Sequence, residues 1–316
     1  MPLLQRIRTM AAKIEGTIGT PEALTGAEGV YNAYDLKIDA DLTVEERQAQ
    51  GSFNYLTGVP ETRGGSCSFK TDMGWNGTTM PNWATVLMTA CGYVESTQVF
   101  TPRSEGPGAT VKTATLAIYE DGLFKSLAGA VGTFKINAPS GKIIMIEWDF
   151  KGVWQPVTDV AIIAPTYPTD KPLRFGSATI TYNALDQCVE NMTFDAGNEI
   201  ILRECPDTAA GFISGLIVDR KPMININPEA QLVATEDRYG DWLAGNEYAF
   251  SCAFDGPTGV VTNGSVTVSA PKAQIMKVTE GSRNKLLIDE VELMCNKNGA
   301  TADEEVSITF VDKADV

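Results

Sequence analysis

The chain has 316 residues, 43% hydrophobic and 21% charged, so it can bury a sizeable core and is too apolar for wholesale disorder. Asp and Glu number 40 against 25 Lys and Arg, a formal charge of -15, which argues against a protein that grips phosphate backbones through counterion release. There is no histidine, which removes Ser-His-Asp and Cys-His nucleophile pairs, His zinc ligands and His general bases together.

At the start, Leu3, Leu4, Ile7, Met10, Ala11 and Ile14 fit one helical stripe and predict a short N-terminal helix or an ordered arm. The same stretch lacks a continuous apolar run and a cleavage site, so it does not read as a secretory signal. The chain then reads as mostly β, in short alternating runs separated by Gly, Pro, Asn and Asp. In YDLKIDADL, Leu36, Ile38, Ala40 and Leu42 share one face, and Lys37, Asp39 and Asp41 the other. Residues 42–65 read as a long connection of mixed charge around Phe53, Asn54 and Tyr55. Pro81 and Asn82 open an amphipathic helix carrying Trp83, Val86, Leu87, Ala90 and Cys91, which Gly92 ends. Residues 133–150 predict a hairpin turning at 139–141, with Ile146, Trp148 and Phe150 on one side and Glu147, Asp149 and Lys151 on the other. TYPTDKP at 166–172 has the composition of a linker. No run approaches the roughly 18 apolar residues that a membrane helix needs.

A weak internal repeat organises these elements. Residues 36–47 can be laid on 192–203, matching Asp39 to Asp195 and Arg47 to Arg203. Arg63 then meets Arg220, Trp83 falls near Trp242, and the KIIMIEWDF run from Lys142 resembles KLLIDEVEL from Lys285. The order is the same in both halves: strand, charged connection, strand, Trp-bearing segment, closing hairpin. The expectation is one duplicated β-domain, 1–165 and 166–316.

Reaction chemistry is sparse. The glycines at 64–65 and 106–108 lack the strand-turn-helix setting and the Lys of a phosphate loop. Glu147 with Asp149 and Glu290 with Glu292 could form the carboxylate pair of a glycoside hydrolase, although at this charge most such pairs simply solvate a strand face. IDADLTVEE departs from a calcium loop after two positions. The six cysteines form no CxxC pair and read as buried free thiols. Trp75 and Trp154, beside glycines, are the tryptophans expected to be most exposed, with packing as the alternative role.

The ordered series IRTMAAKIEGTIGTPEALTGAEGVYN, LKIDADLTVEER, SFKTDMG with PNWATVLMTACGY, ATLAIYEDGLFKSLAGAVGTFKINAPSGKIIMIEWDFKGVW, ALDQCVENMTFDAGNEIILRE and LIVDRKPMININPEA resembles the tail tube proteins of long-tailed bacteriophages. The resemblance implies a non-enzymatic virion subunit without cofactor or metal, whose rings stack into a hollow tube that conducts the genome and meets other tail proteins at its ends. It implies tandem β-sandwich or barrel units with short flanking helices, lending strands to an inter-subunit barrel. Doubled-domain members form trimers that mimic a six-fold ring; if the repeat is illusory, hexamers return. The resemblance to flexible-tailed members implies a siphovirus without a sheath. On that picture Asp39, Asp41, Glu147, Asp149, Asp195, Glu290 and Glu292 are candidates for an acidic lumen that repels passing DNA. Glu45, Glu46, Arg47, Phe53, Tyr55 and Arg63 are candidates for a loop that bridges to the next subunit or ring. A soluble β-sandwich binding module, a carbohydrate-active protein, and a terminator or distal tail ring are the competing readings.

Overall fold

A computed structural model describes residues 4, 6–49, 51, 53–104, 112–176, 178–254, 264–300 and 302–311. Leu3 and the glycines at 106 and 108 lie outside the described residues.

The first half is an antiparallel array of long strands. β1 is Arg8–Ile14, β2 Ala33–Gln48, β3 Tyr55–Asp72, β4 Tyr93–Ser96, β5 Val99–Pro102, β6 Ala114–Glu120, β7 Leu123–Pro139, β8 Met145–Trp154 and β9 Thr158–Asp159. The pairing runs β2, β3, β8, β7, β6, β1. Where the sequence predicts a short helix or an ordered arm, Arg8–Ile14 form strand β1. Its residues pair with β6 from Arg8 opposite Glu120 to Ile14 opposite Ala114, and this ladder overrides a weak helical stripe. The predicted hairpin exists, but β7 begins ten residues earlier than the alternation marked, at Leu123. Its first arm is buried on both faces, so no alternation announces it. The helix predicted after Pro81 is a short π-helix, Trp83–Met88, that buries Trp83, Ala84, Leu87 and Met88.

The second half is built from β10 Thr179–Tyr182, β11 Leu185–Asp186, β12 Val189–Asp195, β13 Asn198–Glu204, β14 Phe212–Arg220, β15 Met223–Pro228, α1 Arg238–Ala244, β16 Glu247–Phe254, β17 Ser265–Arg283, β18 Leu286–Cys295 and β19 Ser307–Val311. Its pairing runs β12, β15, β18, β17, β16, β10, with β13 and β14 paired as a separate hairpin. This is the order of the first half, strand for strand. β12 and β13 together stand where β2 stands, β14 and β15 where β3 stands, and α1 where the π-helix stands. Even the irregularities recur: one β-bulge lies between Tyr34 and Lys37, another between Val189 and Met192.

The two halves share one sheet. Beyond β6, the last residues of β7 pair with β12, from Lys135 opposite Asp195 to Pro139 opposite Asn191. β19 adds a second connection by pairing with both β17 and β5. One face of this sheet carries the core: Phe69, Trp148, Phe150, Phe134, Phe194, Ile224 and Leu293 are almost wholly buried in a single cluster. Burial of that many large side chains is the main stabilising term, at about 25 cal/mol per Å² of apolar surface. Trp75 belongs to the same core, edge-on to Phe310, and is 1% exposed. The adjacent glycine that made it look loop-like is an edge bridge to Pro172. Trp154 is partly buried, and the most exposed tryptophan is Trp242 on α1. The 166–172 segment is irregular, as its composition predicts, yet it is held: Asn32 donates to the Pro168 carbonyl, the Tyr167 hydroxyl meets that of Thr9, and Leu173 just beyond is fully buried.

Candidate assembly surfaces

Cross-strand partners in a sheet point to the same side, so the ladders place the charged candidates. One row runs Lys70, Glu147, Lys135, Asp195, Met223 and Met294. A neighbouring row runs Thr193, Asn225, Glu292 and Lys277. Asp149 shares the face through Ser68 and Thr133, Asp39 through Ser66 and Lys151, and Glu290 through Thr279. Asp41 follows Asp39 at the next same-face position of β2. All seven acidic candidates therefore lie on one face, opposite the aromatic core. The face is not purely acidic. Asp39 pairs with Lys37 at 2.6 Å, Glu147 with Lys70 at 3.0 Å, Asp195 with Lys135 at 2.8 Å and Glu292 with Lys277 at 3.0 Å. Hydrogen bonds to these carboxylates, with the charges behind them, raise the pKa of Lys37, Lys70 and Lys135. Asp41, Asp149 and Glu290 form no ion pair with the described residues. Glu147, one member of the carboxylate pair a hydrolase would need, is engaged by Lys70 on an open strand face.

Residues 42–65 are not a loop. Residues 42–48 and 55–65 form the far arm of the β2–β3 hairpin, with Val44 opposite Pro60, Glu45 opposite Val59 and Arg47 opposite Leu56. The alternation of Leu42 and Val44 with Thr43 and Glu45 was a strand signal; the Pro and Gly residues on the return arm masked it. The arm is exposed on both faces. Phe53 at its tip is 95% exposed and Tyr55 64%, and Leu42, Val44, Leu56 and Val59 are also exposed. Glu45, Glu46, Arg47 and Arg63 make no ion pair with the described residues. The Arg63 backbone N–H donates to the Ala210 carbonyl at 2.9 Å.

The equivalent arm of the second half, β13–β14, is docked instead of free. It lies across β7 and β8 of the first half. A Cβ on Gly129 would come within 2.7 Å of Ser214, and one on Gly215 within 2.6 Å of Val131 and 3.0 Å of the Lys151 carbonyl. The Asn198 side-chain amide donates to the carbonyls of Cys91 and Gly132. At the same end, opposite Asn198, Arg220 is clamped by Asp303 at 3.1 Å and Glu305 at 2.5 Å, and it donates to the Arg103 carbonyl. Burial works to raise the Asp303 carboxyl pKa, but hydrogen bonds from Ser104 and Arg220 outweigh it and hold the carboxyl below its usual range.

Two buried polar clusters escaped the sequence reading. Glu15 accepts from the hydroxyls of Thr113 and Thr115 and from the backbone N–H groups of Gly19 and Gly129. Arg238 is bound by Glu236, Asp289, Gln187 and the Glu229 carbonyl. Neither has a diagnostic local motif: Glu236 and Gly19 are near in sequence, but Gln187, Asp289, Thr113, Thr115 and Gly129 come from distant parts of the chain. Of the thiols, Cys67, Cys91, Cys252 and Cys295 are buried, while Cys188 is exposed and Cys205 intermediate. Burial, reinforced by Asp149 and Asp39, pushes Cys67 up to about 12.

The geometry is that of a structural subunit: a broad sheet with one core face, one charged face and open strand edges. The family model of phage tail tube proteins matches residues 6–310, and the chain belongs to that family. It is accordingly a structural protein of the virion tail that self-assembles into stacked rings and meets other tail proteins. Among curated proteins none matches the chain. No described helix is long and apolar enough to cross a membrane.

Proposed function

We propose that the charged sheet face lines the lumen of the tube, that double-stranded DNA passes along it during ejection without adhering, and that the chain is a duplicated unit, 1–165 and 166–316, three copies of which make a ring of pseudo-six-fold symmetry. The observation that carries the lumen assignment is the convergence of all seven acidic candidates on the one sheet face that bears no core. Duplex DNA presents about one phosphate charge per 1.7 Å of axis, and a wall four of whose lysines are held by carboxylates, with Lys151 the face lysine that has no ion pair among the described residues, has little free cation to offer it. Transit without adhesion then arises from pairing as much as from repulsion: Lys37, Lys70, Lys135 and Lys277 are engaged, while Asp41, Asp149 and Glu290 keep the balance negative. The recurrence of strand order and bulge position supports the duplication.

The test uses Asp149→Lys with Glu290→Lys in assembled particles. Tubes are expected to form, and ejection to slow at low salt and recover as salt screens the new charges. An unchanged ejection rate at low salt would sink the lumen assignment.

A further inference from the structure

We infer that neighbouring chains join through a copy of the seam that joins the two halves of one chain, in the same strand register. The partner is a second copy of this chain, an identity that rests on the ring-forming reading above.

Among the strand edges without a ladder in the described residues, two are equivalent to edges that are paired in the seam. One is the outer edge of β2, the side away from β3. The other is the outer edge of β17 from Met276 to Arg283, beyond its pairing with β16, which reaches only to Gln274. In the other half, the strands equivalent to these two are β12 and β7, and there the same two edges are paired with each other. An open edge is a template for another strand, and the complementary half of the template is present at the opposite end of the same chain. A symmetric ring requires that arrangement.

The register follows from the ladders. Glu147 opposes Lys135 on β7, and its counterpart Glu290 opposes Thr279 on β17, so Lys135 corresponds to Thr279. Asp195 corresponds to Asp39: the first opposes Met223 and the second Ser66, which in turn oppose Met294 and Lys151, counterparts on β18 and β8. Lys135 opposite Asp195 within the chain therefore becomes Thr279 opposite Asp39 between chains. Continuing the antiparallel ladder sets Gly281 opposite Lys37, Arg283 opposite Asp35 and Lys277 opposite Asp41. The charges at both ends of this ladder are complementary, with Lys277 also held by Glu292 and Arg283 by Glu229 within the chain. The same correspondence lays the free arm of β2–β3 over the neighbour's β17 and β18, as β13–β14 lies over β7 and β8. It also sets Gly58 at the place of Gly215, the glycine under which Val131 fits closely. The same placement would set Leu42, Val44, Leu56 and Val59, which the isolated chain exposes, against the neighbour's sheet, with Gln274 at the place of Val131.

Directly opposed Cα atoms in an antiparallel pair are about 4.5–5.5 Å apart, within disulfide reach. The full-length chain carrying Cys188→Ser and Cys205→Ser is the background. Asp39→Cys with Thr279→Cys should give, on mild oxidation of assembled rings, covalent dimers and then a closed trimer on non-reducing gels. Asp39→Cys with Arg283→Cys, displaced by four residues or about 13 Å, should give none. A second measurement needs no thiol: Asp41→Lys and Lys277→Asp should each reduce ring yield at low salt, and the two together should restore it. Rings that form while neither test behaves so would overturn the register and leave the tube reading standing. Absence of rings from the unsubstituted chain in producing cells would overturn both.

Discussion

Arg238 is 4% exposed and surrounded by two carboxylates, a side-chain amide and a carbonyl. A charge at that depth is tolerable only because each donor is met; the Coulomb attraction mainly offsets desolvation. Arg238→Met would leave Glu236 and Asp289 buried together without their cation. The expected cost is about 3–5 kcal/mol, measured as a shift of the urea midpoint of the unassembled chain. A loss below 1 kcal/mol would mean that water already reaches the pair. Arg220 plays a different part. It ties the end of β14 to Asp303 and Glu305 near the C-terminus and to the backbone of Arg103, so it fastens the docked arm to both halves. Sequence alignment of the halves sets Arg220 against Arg63, but Arg63 has no such clamp, because the acids that hold Arg220 lie beyond the repeated strands.

Among the elements, the β2–β3 arm is the one that lies across no sheet; apart from contacts of Thr62 and Arg63 with the β13–β14 turn, it stands exposed. A two-stranded hairpin alone is marginal in water, yet this one carries four exposed aliphatic side chains and two exposed aromatics. Its counterpart β13–β14 shows what such an arm does when it has a sheet to lie on. Excising residues 48–60 should leave circular dichroism and thermal unfolding of the subunit nearly unchanged and abolish polymerisation. Tubes of normal length from that deletion would show that the arm is dispensable. The arm also explains why β2 splits into β12 and β13 in the second half: Gly197, at a φ of +64°, breaks the strand so that the arm can bend onto β7, and a Cβ there would strike the Lys221 carbonyl.

At the scale of the molecule, the halves are not beads on a linker. The β7–β12 ladder, the β19–β5 pairing and the Arg220 clamp cross between them. Domains that share a sheet lose one another's edges when either unfolds, so the unassembled chain should unfold in a single calorimetric transition with matching calorimetric and van't Hoff enthalpies. Two resolved transitions would contradict that coupling. Such rigidity suits a ring component, since a flexible junction would let the sheet curvature vary from subunit to subunit.

The sequence by itself determined the β-rich class and the alternation that puts Asp39, Glu147, Asp149, Asp195 and Glu290 on strand faces. These are local properties, written in a period of two residues. It also carried the repeat, because equivalent strands need similar patterning at similar spacing. The tertiary structure alone decided which strands lie beside which. Only pairing could turn β1 from a helical stripe into a strand, bury Trp75, unite the seven carboxylates on one face and leave β2 and β17 open. Those outcomes depend on contacts between residues far apart in the chain, and no short window of sequence contains both partners.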